Sequence, residues 1–251
     1  MLAKVTSGAV VGLDGAIVEV EVDILPGLPK TIIVGLPDTA VDESAERVRS
    51  AIRNSGGFYP GTRVVVNLAP ADLKKSGPAY DLPIAVGILI SSKQLKADVS
   101  GAMLLGELSL DGALRHTNGV LSLVALAKAQ GIPSVVVPEV DAREAALIGG
   151  VKIVPISTLS QLYQYLSGQI PAPEVSAAAL PVPVEMPPLT DMADIKGQEH
   201  VKRALEVAAA GGHNMIMCGP PGSGKTLLAR SLPSILPPMT NDEALEVTKI
   251  Y

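Results

Sequence analysis

The chain has no tryptophan, one phenylalanine and five tyrosines, so aromatic side chains make up only 2% of its 251 residues. Single-stranded nucleic-acid modules that stack bases on aromatic platforms need more, and that class falls in rank. Cysteine occurs once, at Cys218. A single thiol excludes an intramolecular disulfide and a cysteine zinc site, and it suits a reducing cytosol. Its apolar neighbours predict a small buried hydrophobe in a core strand. The three histidines, His116, His200 and His213, are scattered without metal-ligand spacing, which argues against zinc. Long apolar runs are missing too. The longest, Leu82 to Ile90, is far short of the ~20 residues that cross a bilayer and reads as a buried helix. Met1 leads directly into Leu2-Ala3-Lys4-Val5, with no basic region and apolar stretch behind it. The expectation is a soluble cytoplasmic protein without signal peptide or membrane span. The net charge of −5 is the wrong sign for a general nucleic-acid glue.

What is present is enough apolar material for a sizeable core, 47% hydrophobic against 18% charged residues. Residues 1–168 read as one α/β domain. Ala16, Val18, Val20, Val22 and Ile24 alternate with Glu19, Glu21 and Asp23, the period of a strand with one wet face. Leu13-Asp14-Gly15 before it is a hairpin signal linking back to a strand near Val5 to Val11. Thr31–Leu36 and Arg63–Leu68 are further strands. Between them residues 40–54 predict one helix with Val41, Ala45, Val48 and Ile52 as its stripe, Thr39 as its cap and Gly56-Gly57 as its stop. Helices at 82–92, 120–130, 142–147 and 158–166 and strands at 103–108, 134–137 and 151–154 complete a mixed sheet covered by helices.

From Gly168 to Pro188 six prolines sit among alanine and valine. This reads as an extended linker over 169–190, or equally as a surface arm packed on one domain. A second unit spans 191–251. A helix with Val201, Leu205 and Ala208 on one face ends at Gly211-Gly212, and Asn214–Cys218 reads as a short buried strand. Next comes Gly219-Pro220-Pro221-Gly222-Ser223-Gly224-Lys225-Thr226. The spacing is that of a phosphate-binding loop. Glycines at 219, 222 and 224 let backbone amides turn inward around phosphates. Lys225 would reach the β- and γ-phosphates of ATP as a point charge, and the Thr226 hydroxyl would sit on Mg²⁺.

Asp194-Ile195-Lys196-Gly197-Gln198 ahead of this loop, with Gly211-Gly212-His213-Asn214 running into it, resembles the magnesium-chelatase-like AAA+ ATPases, the YifB and ComM family. The first half agrees. Val34-Gly35-Leu36-Pro37-Asp38 leads into Glu43–Arg49, followed by Asn67-Leu68-Ala69-Pro70-Ala71-Asp72-Leu73-Lys74-Lys75 and Gly77-Pro78-Ala79-Tyr80-Asp81-Leu82-Pro83. The resemblance implies a Lon-protease-like α+β domain followed by the start of a P-loop AAA+ domain. It also implies Ile195 and Gly197 beside the adenine, hexameric rings, and a DNA branch-migration helicase of natural transformation. The chain runs only 25 residues past Thr226. The family's Walker B acid, sensors and arginine finger would then lie beyond Tyr251, and this chain alone would be inactive.

In Lon proteases the nucleophilic serine follows a Gly-Pro pair, but here Gly77-Pro78 is followed by Ala79. The general-base lysine would fall near Leu123, and Val120–Ala127 contains no lysine. With nucleophile and base both absent, the domain is expected to be catalytically silent. Residues 1–170 carry 14 basic against 16 acidic side chains, yet Arg47, Arg49, Arg53, Arg63, Lys74 and Lys75 face only Asp72 across 47–75. That local net of +5 could track DNA phosphates, or Arg49 and Arg53 could simply complement the helix dipole. The leading expectation is a DNA-acting ring ATPase. The alternative is a chaperone-like or magnesium-chelatase-type ATPase that remodels a protein partner.

Overall fold

The computed structural model describes residues 2–175 and 190–249. The prolines expected to form the linker's centre, over 176–189, lie outside the described residues. Two compact units emerge, with residues 2–175 in the first and 190–247 in the second, and each is described by itself.

The first unit is a mixed, mostly parallel sheet covered by helices, as the alternating pattern predicts. It opens with β1 (Ala3–Val11) and β2 (Asp14–Leu25) in an antiparallel hairpin whose register runs from Ala3↔Val22 to Val11↔Asp14. The turn falls at Gly12 and Leu13, one residue earlier than Leu13-Asp14-Gly15 predicts, because Gly12 supplies the positive φ of +65° that a two-residue hairpin needs. β3 (Lys30–Val34) and β4 (Arg63–Ala69) follow. With β5 (Ala102–Leu104), β8 (Ser134–Pro138) and β9 (Lys152–Ile156) the sheet order is β3-β4-β2-β1-β5-β8-β9. A small β6 (Glu107–Leu108) and β7 (Leu114–Arg115) pair separately.

Side-chain alternation sorts this sheet's two faces. Val18, Val20 and Val22 are fully buried on the face covered by α3 (Asp81–Ser91). There Gly87 passes so close that a Cβ would come 2.5 Å from Val22. α3 is apolar all round, buried from Leu82 to Leu89. On the opposite face α4 (Val120–Ala129) packs on Gly8 and Gly15 through Leu123 and Leu126. Past the reach of α4 that face is wet, and Lys4 bridges Glu19 and Glu21 at 2.8 and 2.9 Å. The acidic stripe is therefore a solvated strand face.

The helix expected over 40–54 is two helices, α1 (Thr39–Asp42) and α2 (Ser44–Asn54), interrupted at Glu43. The cap is Asp38 rather than Thr39: its carboxylate accepts from Val41 N–H at 2.9 Å and from Gly77 N–H at 3.2 Å, tying α1 to a distant loop. The strand expected over 103–108 leaves the sheet after Leu104. Gly106 turns to bond Ala79 and Leu82 instead, at 3.1 and 3.0 Å. α5 (Ala142–Ala146) and α6 (Leu159–Leu166) complete this unit.

The second unit contains α7 (Glu199–Gly211), α8 (Lys225–Ser231) and α9 (Asn241–Thr248). Its core is small: Met192, Ile195, Leu205 and Leu228, with Val201, Met217, Leu232 and Ile235 packed against them. The buried strand expected at 214–218 is not formed. The run forms no strand and pairs with none among the described residues, leaving Ile216 at 88% exposure. Cys218, expected in a core, is exposed. A strand of this kind is buried by neighbours on both sides, and residues 190–249 contain no other. No helix among the described residues is long and apolar enough to cross a membrane.

Candidate functional site

The phosphate-type loop sits between two anchors. Upstream, α7 ends at Gly212, whose φ of +60° lets the chain leave the helix, while His213 donates its amide to Ala208 at 2.9 Å and folds over Gly211. His213 thus has a structural place at the helix end. Downstream, α8 is pinned by Leu228 in the small core and by the buried Ser231, whose hydroxyl donates to Leu228 C=O at 2.8 Å. Between them Gly222 and Gly224 adopt φ of +81° and +85°, a region that residues with a Cβ avoid. A Cβ at Gly219 would sit 3.0 Å from the Ser223 hydroxyl.

Lys225 closes this curl. Its ammonium donates to the carbonyls of Gly219 and Pro220 at 2.9 and 2.8 Å and to Ser223 Oγ at 3.3 Å. A cation gathered onto a glycine-rich backbone loop fits a polyphosphate, whose oxygens can replace those weak local acceptors with charged ones. A groove of about 400 Å³ opens alongside. Gly219, Pro220, Ser223 and Lys225 line it, with Gln198, His200, Met215 and Cys218. Pro221, Gly222 and Thr226 are exposed at the loop, with Thr226 next to Lys225 in the first turn of α8. Ile195 is in the small core and Gly197 is exposed, and neither lines the groove. Gln198, held at φ of +57°, and His200 take that side instead. Sequence reasoning placed Gln198 only within the Asp194–Gln198 segment and named Ile195 and Gly197 as the residues beside the adenine. Among the described residues no group of three or more His, Cys, Asp or Glu is arranged to hold a metal.

The basic stripe dissolves in part. Arg47 grips the fully buried Asp81 through two nitrogens, at 2.7 and 3.1 Å, and also donates to Ala40 C=O at 2.8 Å. Burial pushes the Asp81 carboxyl up, against the pull of Arg47. Lys75 is fully buried, donates to Pro70 C=O, and has its pKa lowered by burial. Lys75 is thus closed to DNA, and Arg47 is engaged by Asp81. Arg49 lies over the Tyr59 ring, 5.7 Å from its centre, while Arg53, Arg63 and Lys74 are exposed.

A second cavity, of about 340 Å³, lies in the first unit. Ala79 and Leu123, where the Lon resemblance would place nucleophile and lysine, both line it. Two apolar side chains thus stand where that resemblance places the reacting groups.

A Lon-protease-like α/β domain followed by an AAA+-type unit is the class this architecture defines. Two family models match, "Subunit ChlI of Mg-chelatase" over residues 20–141 and "Magnesium chelatase, subunit ChlI" over 191–251. The chain is 43% identical over 250 residues to YifB of Salmonella typhimurium and 41% identical over 252 to competence protein ComM of Haemophilus influenzae. Each alignment covers 99% of this chain and 49% of the relative. Over 165 residues, 60% of the chain, it is 24% identical to a fifth of Lon protease of Lachnoclostridium phytofermentans. The chain belongs to the magnesium-chelatase-like family of YifB and ComM proteins, and it spans about half the length of those relatives.

Proposed function

We propose that this chain provides the nucleotide-binding loop and the leading domain of a ring-forming AAA+ ATPase. In this reading residues 1–168 are a catalytically silent Lon-like domain, 169–190 a linker and 191–251 the first part of the ATPase domain. The carrying observation is the Lys225 ammonium drawn onto the Gly219–Gly224 curl. Gly219 to Gly224 would cradle the phosphates of ATP, Lys225 would neutralise their charge, and Thr226 would present its hydroxyl to Mg²⁺. Bound Mg²⁺ would draw charge from the phosphate oxygens. Gln198 and His200 would flank the nucleoside, with Ile195 and Gly197 in the segment that leads into them.

Calorimetry with ATP on the full-length protein tests the site. Wild-type binding with at least about tenfold loss in Lys225→Ala supports it, since a charged hydrogen bond contributes about 1.5–3 kcal/mol. Equal affinity of the two proteins overturns it.

For the partner, DNA in a hexameric ring, with branch migration as the specific activity, remains the leading reading. Arg49, Arg53, Arg63 and Lys74 would carry the phosphate contacts, repeated around the ring. The burial of Lys75 and the ion pair that holds Arg47 against Asp81 favour a second reading, in which the ATPase remodels a protein. ATP hydrolysis stimulated by DNA supports the first; stimulation by a protein partner alone supports the second.

A further inference from the structure

The cavity of the first unit gathers three features that its structural role does not use. The first is a strand edge. Gly8, Ala9 and Val10 line the cavity, and β1 pairs with β5 at Thr6↔Met103, leaving the stretch beyond without a partner strand on that side among the described residues. Alternate residues there turn their N–H and C=O groups away from β2. The second is the start of α4. Gly119, at φ of +74°, opens the helix with no side-chain cap and no acidic residue in the first turn, so the leading amides lack intrahelical acceptors. The third is a polar side chain. Thr117 is 4% exposed, and its hydroxyl oxygen is buried without a hydrogen-bond partner among the described residues.

Charge around this cavity is arranged rather than absent. Lys74 stands exposed at its rim. Asp141 is committed to His116 Nδ1 and to the Thr117 amide at 2.8 Å. Glu107 is offset by Arg115 at 3.7 Å.

We propose that this cavity docks an extended peptide segment carrying a carboxylate. Its backbone adds along Gly8–Val10, and its carboxylate sits against the α4 amides, Lys74 and the Thr117 hydroxyl. An edge strand supplies backbone pairing to any extended chain, and adjacent pockets supply selectivity. A volume of about 340 Å³ takes a side chain or two, and no aromatic platform for bases lines it except the buried Tyr80. Nucleic acid is therefore the disfavoured occupant. The inference does not depend on nucleotide binding at Lys225.

Amide NMR of the 251-residue chain decides it, using three peptides and one oligonucleotide. Ac-Val-Thr-Val-Thr-Glu-NH2 carries only a side-chain carboxylate, Ac-Val-Thr-Val-Thr-OH only a terminal one, and Ac-Val-Thr-Val-Thr-Gln-NH2 neither. We expect at least one acidic peptide to shift the amides of Gly8–Val10 and Gly119–Leu121, with the neutral peptide at least about tenfold weaker. Which acidic peptide binds identifies the source of the carboxylate. Ala79→Phe, which fills the cavity, should abolish these shifts, and Lys74→Glu should weaken binding by about tenfold. Should either variant misfold, the peptide series on the wild type still decides. No shift by any peptide at ~2 mM, where even weak binding registers, overturns the proposal, as does equal binding of the neutral peptide. Shifts of the same amides by single-stranded octathymidylate, with none by the peptides, overturn it in favour of a phosphate backbone.

Discussion

Two apolar runs, one in each unit, meet different fates. Along β2, Val18, Val20 and Val22 are sealed completely, with β1 and β4 on either side and α3 above. Along 214–218, Met215, Ile216 and Met217 are as apolar, yet Ile216 is 88% exposed. Apolarity marks a segment for burial, but partners do the burying, and among the described residues only the first run has them. The contrast extends to chemistry. The well-buttressed unit lines its cavity with Ala79 and Leu123, while the open unit carries the cationic loop.

The largest expected effect that tests this contrast is in the first unit. Arg47→Ala strands the carboxylate of Asp81 without its partner in a fully buried position. Loss of one member of a buried pair costs about 3–5 kcal/mol, so denaturant unfolding of this unit should shift to a much lower midpoint. An unchanged midpoint would mean that the unit does not rely on this buried pair. Next comes Lys225→Ala, with its at least roughly tenfold loss of ATP affinity. This change should leave the unfolding of the first unit untouched, because Lys225 bonds only its own loop. Smaller still is Ile216→Ser. A buried strand residue would lose several kcal/mol on such a change, but an exposed one stays within about 0.5 kcal/mol. Hydrogen exchange gives the companion readout: amides of 214–218 should exchange fast and those of β1 and β2 slowly.

The smallest effect is a titration. Its hydrogen bond to Asp141 raises the His116 pKa. The folded imidazole holds its proton more tightly than the unfolded one. This pair's support is therefore complete below the unfolded pKa of about 6.5 and fades as pH rises through the folded value. With the His116 side chain 60% exposed, the effect on stability should be slight. An NMR titration should place His116 above the ordinary histidine value, and Asp141→Asn should return it. A wild-type midpoint at the ordinary value would contradict the pairing.

Much of the fold was legible because its elements announce themselves locally. The alternation in β2, the all-apolar α3 and the Gly211-Gly212 stop are short-range patterns, and each element lies where the pattern puts it. Several misreadings share one cause, a partner distant in sequence. Asp38 rather than Thr39 caps α1 because Asp38 also holds Gly77. Arg47 and Lys75 look like a surface stripe until Asp81 and Pro70 claim them. The segments that carried the family resemblance prove to be knitted together: Asp38 N–H donates to Lys75 C=O at 3.1 Å, and Lys75 N–H to Leu36 C=O at 3.2 Å. Gly35 passes so near β4 that a Cβ would sit 2.1 Å from Leu68 O. Part of what looked functional in those motifs is structural.

By itself the amino-acid sequence settled the family, most of the elements of the first unit and the spacing of the loop from Gly219 to Thr226, because these depend on residue type and on spacing along the chain. Tertiary structure alone decided which cations are free, where Ala79, Thr117 and Leu123 meet, and whether an apolar run is covered. Those outcomes depend on what other segments bring within a few ångströms, and no local pattern carries that distance.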